Sequence, residues 1–312
     1  MPDPDRPVSS DALALTGVLN LDKPGGMTSR DVVDLISRPL RKVKVGHAGT
    51  LDPLASGVLV VCVGSSTRLI EQVQAMAKAY RAVIRLGATS DTLDADGQVV
   101  PHPDPDLSAP DEAAVRAALA AQVGLIDQIP PQFSALKVAG RRAYDLARTG
   151  ETVSLASRTV RVDRVDLISY AWPRLEIDVA CGSGTYIRSI ARDVGAALST
   201  GGLIEVLVRT RIGPFDLADA VNPVGQPIER ILAHLRPPVE ALGAMPRLLL
   251  TADQVALAVG GKLLDPARVA GATSGPGTEV GLIGPDGSLV AIAEVLPTGA
   301  IQPRKVFGPR PA

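Results

Sequence analysis

The chain has only two cysteines, Cys62 and Cys181, and each lies in an apolar, strand-like stretch. Two separated thiols make no disulfide framework, so both read as reduced core residues of a cytoplasmic protein. The three histidines stand apart with no Cys/His cluster beside them, which argues against a structural zinc site; no metal is expected. Long apolar runs are also missing. The longest, Val58–Val63, falls far short of the ~18 residues that a spanning helix needs, so no membrane association is expected. Met1–Ser10 is acidic and proline-bearing, which suits neither a secretory nor a mitochondrial leader, and residues 1–12 read as a disordered lead. Aromatics number only eight, so a tyrosine outside an obvious core position carries information.

What is present suffices for about two domains: 312 residues at 46% hydrophobic content. The net charge of −1 conceals a segregation. Residues 17–88 carry ten Lys/Arg against five Asp/Glu, and residues 132–211 carry twelve against eight. Between them, residues 89–131 hold one basic and eight acidic side chains. Two basic blocks around an acidic excursion fit a polyanion-binding face with a solvated segment turned away from it or at its margin; ordinary surface scatter is the bland alternative.

Strand patterns cover Gly17–Leu21, Gly57–Val63, Tyr80–Leu86, Val160–Ile168, Leu175–Cys181 and Leu203–Ile212, the last with Leu207, Arg209 and Arg211 on one face. Helices are expected after the capping box Thr28/Asp31, over Thr67–Ala77, after a cap at Ser108/Asp111, just before Gly150, and over the stripe Ile187, Ile190, Ala191 and Val194. Residues 101–110, with four prolines, read as a connector. The absence of a βαβ rhythm points to an α+β fold with a mixed sheet. The proline-bearing stretch Pro214–Pro246 reads as the junction between a domain over 13–240 and a small β-rich module over 246–312. That module would open on the box Thr251/Gln254 and contain a hairpin turning at Pro285-Asp286-Gly287.

Three places could carry chemistry. In Gly46-His-Ala-Gly-Thr-Leu-Asp-Pro53, two glycines allow close backbone approach to a ligand, and Asp52 stands just before a proline. By spacing alone Asp52 serves equally as a turn cap, and His47 as a satisfied loop histidine. Tyr80 starts a strand beside Lys78 and Arg81, and Tyr186 lies two residues before Arg188. Tyrosines interleaved with cations suit base stacking with phosphate neutralisation, and suit a core with a bonded hydroxyl equally well.

Taken together, these stretches resemble a known family. Gly17-Val-Leu-Asn-Leu-Asp-Lys-Pro-Gly-Gly-Met-Thr-Ser29, Gly46-His-Ala-Gly-Thr-Leu-Asp-Pro-Leu-Ala-Ser-Gly57, Lys78-Ala-Tyr-Arg81, Pro131-Gln-Phe-Ser-Ala-Leu-Lys137 and Gly184-Thr-Tyr-Ile-Arg188 look like the successive signatures of bacterial TruB-type tRNA pseudouridine synthases. The resemblance spans about residues 17–212 in the right order. It implies a largely antiparallel central sheet flanked by helices and loops, and a C-terminal PUA-like module. It also implies a reaction, isomerisation of uridine 55 in the T-arm of tRNA to pseudouridine, with neither cofactor nor metal. Asp52 would be the catalytic aspartate, as nucleophile or as base toward the sugar. Arg188 would pair with it, favouring its ionised form and fixing its rotamer. Tyr80 would stack on the uracil and mediate loss of the C5 proton. Tyr186 and Leu207 would line the same pocket, and His47 would face the RNA. A base inside the folded arm must be flipped out to be reached. Lys23 and Lys137 would orient loops or meet phosphate, and Arg141 and Arg142 would add charge to a basic loop.

One departure stands out: Leu207-Val208-Arg209 where the family often reads Leu-Arg-Arg, so one phosphate contact fewer is expected. Guide-RNA-dependent relatives lack the Pro131–Lys137 and Arg141–Arg148 segments in this form, which favours the stand-alone type: a cytoplasmic monomer with no obligate protein partner. A non-catalytic RNA-binding or tRNA-folding protein would keep the tyrosines and arginines without needing Asp52 beside Arg188. A synthase acting on another RNA also stays open. An aspartic hydrolase lacks its second carboxylate motif.

Overall fold

The computed structural model describes residues 15–134, 155–271 and 274–307, with the backbone of 137–138 and 141–142. The expected lead over 1–12 and the helix expected before Gly150 lie outside these residues. In chain order the main strands are β1 (Gly17–Lys23), β2 (Val45–His47), β3 (Ser56–Val63), β4 (Lys78–Leu86), β5 (Gly124–Gln128), β6 (Arg158–Ala171), β7 (Arg174–Cys181) and β8 (Gly202–Ile212). They form one sheet in the order β1-β3-β8-β4-β7-β6-β5, with β2 on β3. All these pairings are antiparallel except β8 with β3, where Val208 and Arg209 run parallel to Ser56 and Gly57. The fold is therefore the expected α+β one with a mixed, largely antiparallel sheet.

Local chemistry explains the elements. From Gly57 onward β3 is buried throughout, as its unbroken apolar run requires of a strand covered on both faces. β4 alternates, with Lys78, Tyr80, Ala82, Ile84 and Leu86 inside and Arg81 and Arg85 outside. Helix α1 (Ser29–Ser37) starts at Thr28, whose hydroxyl accepts from the Asp31 N–H while the Asp31 carboxylate accepts from the Thr28 N–H. Helix α2 (Glu112–Ala120) is capped by Asp111 rather than Ser108. A start at Ser108 would put Ala109, which precedes Pro110, into the α conformation that a following proline disfavours. Thr67–Ala77 is not one helix but a 3₁₀ turn, Gly64–Leu69, running into a short α-helix, Ile70–Ala75. In β8 a register shift separates Arg209 from Arg211. This bulge keeps Leu207 and Arg209 inside and turns Arg211 to solvent, so the three do not share a face.

Helix α3 (Ile187–Ala197) and α2 cover one face of the sheet through Ile187, Ile190, Val194, Val115 and Leu119. The C-terminal strands β9 (Arg247–Leu249), β10 (Glu279–Ile283), β11 (Leu289–Val295) and β12 (Ile301–Val306) make a second sheet in sequence order. Helix α4 (Ala252–Val259), which opens on the Thr251/Gln254 capping box, packs on it. The β10–β11 hairpin turns at Gly287 (φ +78°), a conformation that favours glycine.

The proline-bearing stretch after β8 is bound to the main sheet, not swung free. The Val221 N–H donates to Asn20 at 3.0 Å, and Arg236 exchanges two backbone hydrogen bonds with Val18. Phe215, Ala241 and Leu242 then join Val58, Val60 and Ile212 of the first sheet to Ile283, Leu289 and Ile292 of the second in one apolar cluster. Phe215 is completely buried there. Phe215→Ala should cost about 3–5 kcal/mol, the usual loss for a large buried aromatic, measured by urea denaturation. A loss below about 1 kcal/mol, no more than an average substitution causes, would show that this contact does not tie the sheets together.

Candidate active site

The loop between β2 and β3 carries Asp52 and is clamped from several sides. Ser29 of α1 bonds Leu51 twice: its hydroxyl accepts from the Leu51 N–H at 2.8 Å and donates to the Leu51 carbonyl at 3.2 Å. The Gly26 N–H donates to the Pro53 carbonyl at 2.8 Å. Lys23, completely buried, donates to the carbonyls of Met27 at 2.6 Å, Pro24 at 2.9 Å and Pro53 at 3.3 Å. Of the two roles expected of Lys23, this geometry serves loop orientation, and its burial keeps it from phosphate. From β8 the Arg209 guanidinium donates to Gly49 at 3.0 Å and Thr50 at 3.4 Å.

Asp52 leans toward the first turn of α3, where Arg188 is 4% exposed. Arg188 Nη2 donates to Asp52 Oδ1 at 3.0 Å and its Nε lies 2.9 Å from Oδ2, a two-point ion pair. The remaining N–H groups reach the carbonyls of Thr92 at 2.8 Å and Phe133 at 2.9 Å, and Asp94 Oδ2 lies 3.5 Å from Nη1. The guanidinium is thus held from several segments and fixes the carboxylate's direction. Asp94 is itself buried, and desolvation raises its carboxyl above the ordinary range although the Thr92 hydroxyl and Arg188 pull it back.

Asp52, Tyr80, Tyr186, Arg188, Leu207 and Arg209 wall one cavity of about 350 Å³. Tyr80 is 8% exposed on β4, and burial raises its phenol. Leu207 sits across from Ala82 on the neighbouring strand. Tyr186, the residue before α3, is fixed by its backbone: its N–H donates to Gln128 Oε1 at 2.8 Å, and its carbonyl accepts from Gln128 Nε2 at 3.1 Å. The Arg158 guanidinium lies 4.9 Å from the centre of its ring. Five predicted residues are therefore brought together. His47 is not on the cavity wall; it lies on β2, where it pairs with Val61 of β3. Lys137 pairs with Arg142, and Val138 with Arg141, in a separate two-stranded ribbon.

Two site residues escaped the sequence reading. Arg209 was read only as sharing a face with Leu207 and Arg211; it lies inside beside Leu207, and the bulge in β8 moves Arg211 off that face. Asp94 belongs to the acidic segment expected to be solvated and turned away. The segment is not turned away throughout: Thr92 and Asp94 reach Arg188 and supply the buried guanidinium with a carbonyl and a second carboxylate. The spacing Asp91-Thr-Leu-Asp94 carries no signal that would have shown this.

A family model described as TruB family pseudouridylate synthase (N terminal domain) matches residues 37–187. The tRNA pseudouridine synthase B of Thermobifida fusca (strain YX) is 43% identical over 302 residues, covering 93% of this chain and 98% of that protein. A tRNA pseudouridine synthase B of Cereibacter sphaeroides (strain ATCC 17025 / ATH 2.4.3) is 44% identical over 248 residues, 78% of this chain and 81% of that one. Among solved structures, a chain of a Cbf5-Nop10-Gar1 complex superposes with a TM-score of 0.74 at 26% identity, covering 99% of this chain and 91% of that one.

The buried amines make a pH-dependent signature. Desolvation lowers Lys23 and Lys78 from 10.5 to about 8 each. From about pH 8 to 10.5 the unfolded chain holds these two protons and the folded chain does not, so their contribution to stability rises with pH across that window. Lys23→Met and Lys78→Met should each remove up to about one proton from the pH slope of unfolding free energy there. Denaturation at a series of pH values checks this, and an unchanged slope would refute it.

Proposed function

The chain belongs to the TruB family of pseudouridylate synthases, and from that premise we propose that it isomerises uridine 55 in the T-arm of tRNA to pseudouridine. It is an isomerase by membership; tRNA as substrate and position 55 are our reading, supported by relatives named tRNA pseudouridine synthase B over nearly the whole chain. The observation that carries the reading is Asp52, held by Arg188 in a cavity walled by two tyrosines and a leucine. At about 350 Å³ that cavity takes one small ligand, not a paired stem. The target base must therefore leave its stack and enter alone.

Within the cavity Asp52 acts on the ribose, as nucleophile at C1′ or as base toward the sugar. The bond from C1′ to N1 breaks, the uracil turns, and C5 bonds to C1′. Tyr80 stacks on the ring and its hydroxyl handles the C5 proton; Leu207 and Tyr186 confine the ring. Arg188 positions the carboxylate. Residues 13–240 form the catalytic domain and 246–312 a PUA-like RNA-binding module, which the shared core around Phe215 holds in place. Lys137, Arg141 and Arg142 contribute to the RNA face, and His47 lies near it. The protein works as a cytoplasmic monomer on tRNA without a guide RNA or obligate partner; its greater likeness to the stand-alone synthases than to the Cbf5 chains supports this.

Incubation of the pure protein with an unmodified tRNA transcript, followed by mapping, should show pseudouridine at position 55. Pseudouridine only elsewhere would reassign the target, and binding without any product would favour a tRNA-folding protein. Asp52→Asn should keep fold and tRNA affinity but lose turnover by about 1,000-fold or more.

The tyrosine roles separate by substitution. Base stacking is worth about 1–3 kcal/mol, so Tyr80→Leu should weaken tRNA binding while Tyr80→Phe leaves it nearly intact. Tyr80→Phe should slow single turnover by about 100-fold if the hydroxyl moves the proton. A normal rate in the phenylalanine variant would leave Tyr80 only the stacking role.

A further inference from the structure

Arg209 is a buried cation that so far has served only to clamp the loop carrying Asp52. It stands on β8 as the register partner of Tyr80 on β4, so the two side chains lie side by side on one face of the sheet. It is 2% exposed. Its Nε donates to the Val58 carbonyl at 2.8 Å, Nη2 to Gly49 at 3.0 Å and Nη1 to Thr50 at 3.4 Å. Its guanidinium and the Tyr80 phenol line the same cavity, and the neighbouring cation favours the ionised form of that phenol. These partners are all neutral, so the charge is clamped without being cancelled at contact. Gly57 (φ +98°) packs against the Arg209 backbone so closely that any Cβ would strike its carbonyl oxygen, which locks the strand position as well. A leucine would fill this core without the cost of desolvating a cation, so the charge calls for a reason.

Resting on the reading of Tyr80 given above, we propose that Arg209 is a positioning residue that holds the Tyr80 phenol oxygen as a hydrogen-bond acceptor and makes it the base for the C5 proton. After reattachment, C5 carries both the ribose and its hydrogen. The phenolate oxygen takes that proton; the electron pair of the C5–H bond forms the C5=C6 double bond. The C6=N1 pair becomes an N1–H bond with a proton from water, and the resulting phenol resets by losing its proton to solvent. A donating guanidinium stabilises the phenolate and leaves its remaining lone pairs pointed into the cavity. The charged and titratable groups around the phenol are Arg209 from β8, Cys181 from β7, Asp52 from the loop, Tyr186 and Arg188 at the start of α3, and Lys78 on the same face of its own strand. Burial, Cys181 and Asp52 oppose its ionisation and Arg209 favours it, so a displaced cation moves ionisation to higher pH.

The test is a double-mutant cycle on pseudouridine formation, with single-turnover rates at saturating protein and tRNA affinity measured separately. Arg209→Met should slow the unsubstituted protein by about 100-fold with little change in affinity, the low end of a proton-transfer contribution. In the Tyr80→Phe background it should cost less than about threefold, because the bond it serves is already gone. Equal losses in both backgrounds would make Arg209 a general support of the fold and overturn the proposal. Arg209→Lys, which keeps the charge but not the fork, decides the case if the methionine variant does not fold. Its rate-limiting ionisation should move up by about one pH unit, and an unmoved profile would overturn the proposal. Absence of any product with the unsubstituted protein would overturn the parent reading and this one with it, whereas additive losses in active variants overturn this one alone.

Discussion

A guanidinium taken out of water must find acceptors for its donors or the fold loses several kcal/mol, and this chain buries two of them around one cavity. Arg188 draws in the Thr92 and Phe133 carbonyls, Asp94 and Asp52. Arg209 draws in Gly49, Thr50 and Val58. These acceptors come from segments far apart in sequence, so satisfying two cations assembles the site. Removing either side of such a contact leaves the other buried and unpaired, which is why loop, helix and strand hold their places together.

The arrangement also separates rigidity from access. Asp52 keeps a third of its side chain exposed while its partner Arg188 is enclosed, so the carboxylate faces solvent from a fixed mount. Lys23 adds a third buried cation beneath the loop and spends its protons on carbonyls. Such a loop is held in place before any ligand arrives.

The second sheet shares a core with the first through Phe215, Leu242 and Ile292, so the junction holds its two sides together instead of acting as a flexible linker. The basic blocks read in the sequence supply both classes of cation. Arg209 and Lys78 are consumed inside the fold, whereas Arg211 and Arg85 stay at the surface, where a polyanion can meet them. Counting charge by segment cannot tell these classes apart.

The sequence by itself determined most of the elements, because period-two strands and capping boxes such as Thr28/Asp31 and Thr251/Gln254 act over a few residues. It also determined the identities of Asp52, Tyr80, Tyr186, Arg188 and Leu207, through five ordered signatures. Tertiary structure alone decided three matters. The bulge in β8 left Arg209 inside beside Leu207 and turned Arg211 outward, a slip of one residue that no alternating pattern announces. Asp94 left its acidic surroundings for a buried cation, and Lys23 became a clamp under the loop that carries Asp52. Each depends on which distant acceptor faces a buried charge, and that is set by sheet register and chain crossing, not by neighbours in sequence.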